Sequence, residues 1–266
     1  MPATDLSLLI DAALEAGKIA TRYSGTQAQR WDKPDGAGPV TEADLAVNAM
    51  LGDRLRAARP GYGWLSEESE DTSERLERRN AFIIDPIDGT RSFAEGARTW
   101  AHSIAVANEG KVTAAVIYLP MRNLLYAAAR GMGATLNGEE IKTSAYVDLQ
   151  QSEVLAAKPT LDTRHWRDGH VPDFGRAYRP SLAYRMALVG QGRFDAMLTL
   201  RPSWEWDIAA GDLIIQEAGG VCTDRAGQSL VFNNATPRLN GVIAANAALH
   251  EELSKRLDLS GPGIGA

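Results

Sequence analysis

Ala81-Phe82-Ile83-Ile84-Asp85-Pro86-Ile87-Asp88-Gly89-Thr90 is a short apolar run that breaks on two acids, a proline and a glycine. Phe82 to Ile84 predicts a buried strand, bounded by turn formers. Two aspartates at the end of such a strand are costly to desolvate unless a positive charge faces them, and a metal ion is the usual partner. Pro86 has no N–H to give to a ladder, so the chain is expected to leave the strand there. Gly89 frees the backbone to turn N–H groups toward an anion. The stretch therefore predicts a place where a metal and a phosphate meet.

On its N-terminal side, apolar residues from Leu6 to Ile19 recur at helical spacing and predict an amphipathic helix over 5–23, ended by Ser24-Gly25. Lys33 to Pro39 has loop composition, and Thr41-Glu42-Ala43-Asp44 opens a second helix that Pro60-Gly61 stops. Trp64-Leu65-Ser66 leads into an acid cluster at 67–71, of which Glu68, Glu70 and Asp71 are expected to be solvated. On the C-terminal side, strands are predicted at 103–108, 112–118 and 124–129, with an irregular hairpin from Gly131 to Ile141. The second half gives a strand at 153–157, a helix at 182–189, a strand at 194–200, a helix at 207–218 closed by Gly219-Gly220, a strand at 242–245 and a helix near 247–257. The polar stretch 162–180 fits no element. Without a strict strand–helix alternation, the fold class is α/β layers with largely antiparallel sheet in the first half. Residues 1–150 and 151–266 are expected to form two halves packed as one unit, with a frayed tail from Gly261.

Composition narrows the function. A net charge of −6 argues against a nucleic-acid polymer or an acidic membrane as partner. The single cysteine, Cys222, leaves no internal disulfide, and no leader or membrane-spanning run is evident, so a cytoplasmic location is expected.

Glu67, Asp85, Asp88 and Asp207 each lie beside apolar or aromatic residues at the edge of a predicted element. Hard cations such as Mg²⁺ take oxygen ligands, and these carboxylates with the Ile87 carbonyl would supply them. A phospho-aspartate route is disfavoured: a haloacid-dehalogenase-like nucleophile loop needs an aspartate two positions before the second acid, and that position holds Pro86. Asp44, three residues after Thr41, reads equally as a capping box and as part of a site. His102, His165 and the tryptophans read as packing or surface residues, with Trp204 and Trp206 placed around the site.

Taken together, Leu65-Ser66-Glu67-Glu68-Ser69, Asp85-Pro86-Ile87-Asp88-Gly89-Thr90, and Trp206-Asp207-Ile208-Ala209-Ala210-Gly211 leading to Glu217-Ala218-Gly219-Gly220 resemble the motifs of the inositol monophosphatase family, Mg²⁺-dependent and lithium-sensitive phosphomonoesterases. The resemblance implies a layered αβαβα sandwich and a homodimer. It implies two or three Mg²⁺ ions: Glu67, Asp85 and the Ile87 carbonyl around the ion that activates water, and Asp85, Asp88 and Asp207 around a second. Thr90, supported by Asp44, would orient the attacking water, while Gly89 and Thr90 cradle phosphate oxygens beside Asp88 and Asp207.

Departures from the family pattern bear on the substrate, a small phosphorylated metabolite. The position of the inositol-reading glutamate holds Thr199, the small segment that contacts substrate reads Pro180-Ser181-Leu182, and Arg91 and Arg201 stand near the expected mouth. Arginine suits a second phosphate. With Glu205-Trp206-Asp207, this favours the 3′(2′),5′-bisphosphate nucleotidase branch acting on adenosine 3′,5′-bisphosphate. Inositol 1-phosphate and histidinol phosphate are alternatives, and a non-catalytic metal- or polyanion-binding module is the reading from another class.

Overall fold

The computed structural model describes residues 2–23, 29–33 and 38–258, with side chains from residue 4 onward. The expected helix end at Ser24-Gly25, most of the loop after Lys33 and the tail from Gly261 lie outside the described residues. Strand β4 (Asn80–Asp88) is the hub. In it Phe82 and Ile84 point to one side and Ile83 to the other, as a period of two demands. It pairs in parallel with β3 (Gly63–Ser66) and antiparallel with β5 (Ala101–Asn108), and the sheet continues through β6 (Lys111–Leu119), β7 (Leu124–Ala129), β8 (Ala134–Leu136) and β9 (Glu139–Glu140). A small hairpin, β1 (Arg30–Asp32) with β2 (Pro39–Thr41), precedes it.

Each face of this seven-stranded sheet buries a helix pair. The Phe82 face takes α1 (Pro2–Ala20) and α2 (Glu42–Ala58), through Leu9, Val47, Leu51 and Leu55. The Ile83 face takes α4 (Leu182–Gly190) and α5 (Glu205–Glu217), through Met186, Leu213 and Ile214. A second sheet, ordered β11-β10-β12-β16-β14, packs on the far side of α4 and α5; its strands are β10 (Glu153–Ala156), β11 (Gly175–Ala177), β12 (Ala196–Thr199), β14 (Val221–Thr223) and β16 (Val242–Ala245). Helix α6 (Ala247–Arg256) covers its outer face with Leu249 and Leu253. The layers are thus helix, sheet, helix, sheet, helix.

Three details differ from the sequence reading. Strand β4 does not stop at Pro86 but runs to Asp88 through a bulge, because a proline that cannot donate is accommodated where the ladder is already broken. The unplaced stretch 162–180 holds short turns of 3₁₀ helix and the edge strand β11, too brief to leave a periodic pattern. The two-stranded ribbon of β13 (Ser203–Trp204) and β15 (Arg238–Leu239) was also not anticipated. No helix among the described residues is long and apolar enough to cross a membrane.

Helices α4 and α5 meet closely at Gly211. A Cβ built there would lie 2.5 Å from the Met186 Cβ, so the contact admits only glycine. Gly211→Ala is therefore expected to destabilise the protein by about 1–3 kcal/mol in urea titrations, as overpacked cores do.

Candidate active site

The bulge in β4 sets the geometry. Asp85 pairs opposite Ser103 and Asp88 opposite Ala101, so the first strand advances three residues while its partner advances two. In a regular strand residues three apart face opposite sides. The extra residue brings both aspartates to one side, the face that carries α5. The turn is held from within: Asp85 Oδ1 accepts the Ile87 N–H at 2.9 Å, and His102 Nδ1 lies 2.5 Å from the Pro86 carbonyl, which makes it the donor. His102 is therefore more than packing, since it pins the bulge from behind. Burial pushes its pKa down to about 4, so the ring is neutral, and among the described residues its Nε2 has no hydrogen-bond partner.

Helix α5 supplies the third acid. Asp207 sits in its first turn, and carboxylate oxygens of Asp85, Asp88 and Asp207 lie within 4.8 Å of one another. The Trp206 carbonyl between the acid and its neighbour is tied to β5 by the Ser103 hydroxyl at 2.8 Å. Asp88 is also fixed by α4, whose capping residue Ser181 donates its hydroxyl to Asp88 Oδ2 at 2.7 Å while the Ala183 N–H reaches the same oxygen at 2.6 Å. Burial raises the pKa of all three acids. Asp88 is pushed to about 6, restrained by the Ser181 and Ala183 bonds and by Arg185. Asp85 and Asp207 rise well above the usual carboxylate range, first through burial and then through repulsion, from Glu67, Asp88 and Asp207 for Asp85 and from Asp88 and Glu67 for Asp207.

Thr90 follows Gly89, whose φ of 98° places it in the left-handed region and turns the chain into the short helix α3 (Thr90–Ala94). Thr90 Oγ1 lies 3.1 Å from the Ile87 carbonyl and 3.3 Å from Asp44 Oδ1. Asp44 is buried at the start of α2, where its Oδ2 accepts the Thr41 N–H at 2.8 Å and the Thr41 hydroxyl at 2.5 Å. Both readings of Asp44 hold at once: it closes a capping box and it faces Thr90. Burial lifts its pKa to about 6 against the pull of the Thr41 bonds.

Glu67 stands outside the tight group of three. It bonds Lys33 Nζ at 2.9 Å, and the same ammonium holds Glu68 at 2.6 Å. Glu68 is not solvated as expected: its side chain is 4% exposed, and burial with Glu67 beside it raises its pKa to about 7. Glu70 and Asp71 are exposed as expected, and Asp71 also forms an ion pair with the buried Arg75. Of the expected arginines, Arg91 and Arg201 are both exposed, and the charge of Arg201 reaches Asp207. Arg185 escaped the sequence reading. It lies one helical turn after Ser181, so its side chain leans back over that turn. It donates to the Arg179 and Pro180 carbonyls, and its guanidinium stacks over the Tyr178 ring at 4.4 Å. Among the described residues no carboxylate is within ion-pair distance of Arg185 or Arg201, although Asp88 and Asp207 feel the charge of Arg185. The i, i+4 relation to Ser181 was the available signal. Trp204 and Trp206 stack on each other at 4.7 Å, and Arg238 lies over Trp204, so Trp204 is used as packing.

An all-oxygen donor set, crowded and repelling itself, fits a divalent cation, and Asp85, Asp88 and Asp207 can share one. The burial of these acids sets a pH dependence. Groups whose pKa is raised in the fold, here from 3.8 to about 6 for Asp44 and Asp88, stabilise it below 3.8 and lose that contribution as pH rises through 6. In EDTA, the melting temperature should fall between these pH values, and Asp88→Asn should flatten the fall; a rise with pH would contradict the assignment.

The whole chain has relatives. The model of the inositol monophosphatase family matches residues 2–260. The chain is 32% identical to an inositol-1-monophosphatase of Mesorhizobium japonicum, over 94% of each protein. It is 34% identical to a histidinol-phosphatase of Chlorobaculum parvum, over 94% of this chain and 95% of the relative. Among solved structures, the extragenic suppressor protein SuhB of Bartonella henselae superposes with a TM-score of 0.80 at 31% identity, covering 95% of this chain and 97% of the other.

Proposed function

The chain belongs to the inositol monophosphatase family, a family of phosphatases acting on phosphoric monoesters, and from that premise we propose that it hydrolyses a small phosphate ester with the help of Mg²⁺. The observation that carries the proposal is the Asp85–Asp88–Asp207 group set beside the Thr90–Asp44 pair. Divalent cations bound by the acids would lower the pKa of a water molecule and offset the charge of the phosphate. The protein's own part is positional. When the Thr90 hydroxyl donates its hydrogen bond to Asp44, its lone pairs are free to accept a hydrogen bond from the attacking water. Asp44 can serve as that acceptor because Thr41 fixes it. Gly89 turns the first N–H groups of α3, which have no partner within the helix, toward the same space. No side chain is needed as a covalent nucleophile. A binding module without catalysis would have no use for a hydroxyl oriented in this way.

For the substrate, the leading reading remains a molecule with a second negative charge, of the adenosine 3′,5′-bisphosphate kind. Arg185 and Arg201 support it, since both bring charge to the acid group without an ion-paired carboxylate of their own among the described residues. Of the two, only Arg185 is buried, and a buried guanidinium gains most from an anion that completes its hydrogen bonds. The names of the relatives favour inositol 1-phosphate or histidinol phosphate about as well. Phosphate release with Mg²⁺ from these three esters separates the readings. Arg185→Ala and Arg201→Ala should each lower kcat/KM by about tenfold or more on the bisphosphate, and by much less on inositol 1-phosphate. Equal losses would remove the arginines from the specificity argument, and no turnover of any ester would favour the binding module.

A further inference from the structure

Away from the acid group, a chain of polar residues with two buried charges, Glu205 and Arg75, joins two walls of the site. Glu205, the residue that opens α5, is fully buried. Its carboxylate accepts the Asn233 N–H at 2.6 Å, the Asn234 N–H at 2.9 Å and the Asn234 side-chain N–H at 2.7 Å. Those asparagines in turn receive Arg75: one guanidinium nitrogen donates to Asn233 Oδ1 and another to the Asn234 carbonyl, each at 2.8 Å. Arg75 is 2% exposed and closes the chain on Asp71 with two bonds, at 2.6 and 2.8 Å. Asn233 takes a φ of 62°, a left-handed conformation that lets its N–H and its side chain serve both ends at once.

Charged groups this deep gain little net stability over apolar residues of the same size, whereas removing one partner is expensive. What the chain of bonds gives is registration. Asp71 follows Glu67 by four residues on the same loop, and Glu205 precedes Asp207 by two in the same helical turn. The residue between, Trp206, is fastened to Ser103, opposite Asp85. Ser103 therefore sets Asp207 against Asp85, and the Asp71–Arg75–Asn233/Asn234–Glu205 relay sets the Glu67 loop against Asp207.

We propose that this relay positions the site for its cation, with Arg75 and Glu205 as positioning residues that touch neither metal nor substrate. The proposal rests on the metal-dependent reading of the site given above. It is tested by calorimetric titration of Mg²⁺ into the metal-free protein, with the melting temperature in EDTA measured alongside. Arg75→Met and Glu205→Gln should each raise the Mg²⁺ dissociation constant about tenfold, as the loss of outer supports of metal ligands does. The double variant should be no worse than the weaker-binding single, because both changes cut one chain. Asn233→Gly keeps the left-handed backbone and its N–H to Glu205 while removing the Asn233 side-chain bonds to Arg75, leaving the single Arg75 bond to the Asn234 carbonyl. It should raise the constant severalfold, and it carries the test alone if the charged-residue variants fail to fold. Unchanged Mg²⁺ affinity in variants that melt earlier, or losses that add in the double variant, would reduce the relay to a structural role and overturn the proposal. A wild-type protein that titrates no Mg²⁺ would remove the metal reading itself, and the relay with it.

Discussion

Three carboxylates held within 4.8 Å of one another, two of them almost fully buried, are the constraint around which this structure is built. Left to themselves they would separate or take up protons, and their raised pKa values report that tendency. The fold resists separation by fastening each one to a different element. Asp85 is fixed by its own turn, Asp88 by the N-terminus of α4, and Asp207 by a helix whose first turn is tied to β5. Well-packed apolar layers on both faces of the first sheet supply the stability against which this repulsion is set.

The site lies where the halves of the chain meet, and that follows from the layering. The two acids of β4 face the helix layer between the sheets, and that layer comes from the second half of the sequence. The seven-stranded sheet can therefore offer a pair of acids only to α4 and α5. The close approach of those helices at Gly211 keeps them together as one body. Arg185 stacks on Tyr178 beside the same layer, and its charge and that of Arg201 reach Asp207.

Much of this was legible from the residues alone. The strand at Phe82–Ile84, the acid motifs and the helix opening near Asp207 carry strong local signals, because periodicity and turn chemistry act over a few residues. Asp44 showed its capping role by spacing, but its bond to Thr90 spans 46 residues of sequence and has no local signature. The bulge was misread as a strand end for a similar reason. Pro86 announces a broken ladder, yet only pairing with β5 decides whether the strand stops or continues. Glu68 looked solvated because its partner, Lys33, lies 35 residues away in sequence, whereas Asp71 is exposed as expected while pairing with the buried Arg75. Arg185 was hidden by its setting within an apolar helix, where a long side chain that folds back over the preceding turn resembles any other surface arginine.

The central claim is that Asp85, Asp88 and Asp207 share a divalent cation. Mn²⁺, a spectroscopically and crystallographically visible substitute for Mg²⁺, tests it most directly. The anomalous difference map of a crystal grown with Mn²⁺ should show a strong peak among these three carboxylates, and the peak should vanish in Asp88→Asn. A map with no peak there, or with Mn²⁺ bound only elsewhere on the surface, would contradict the account.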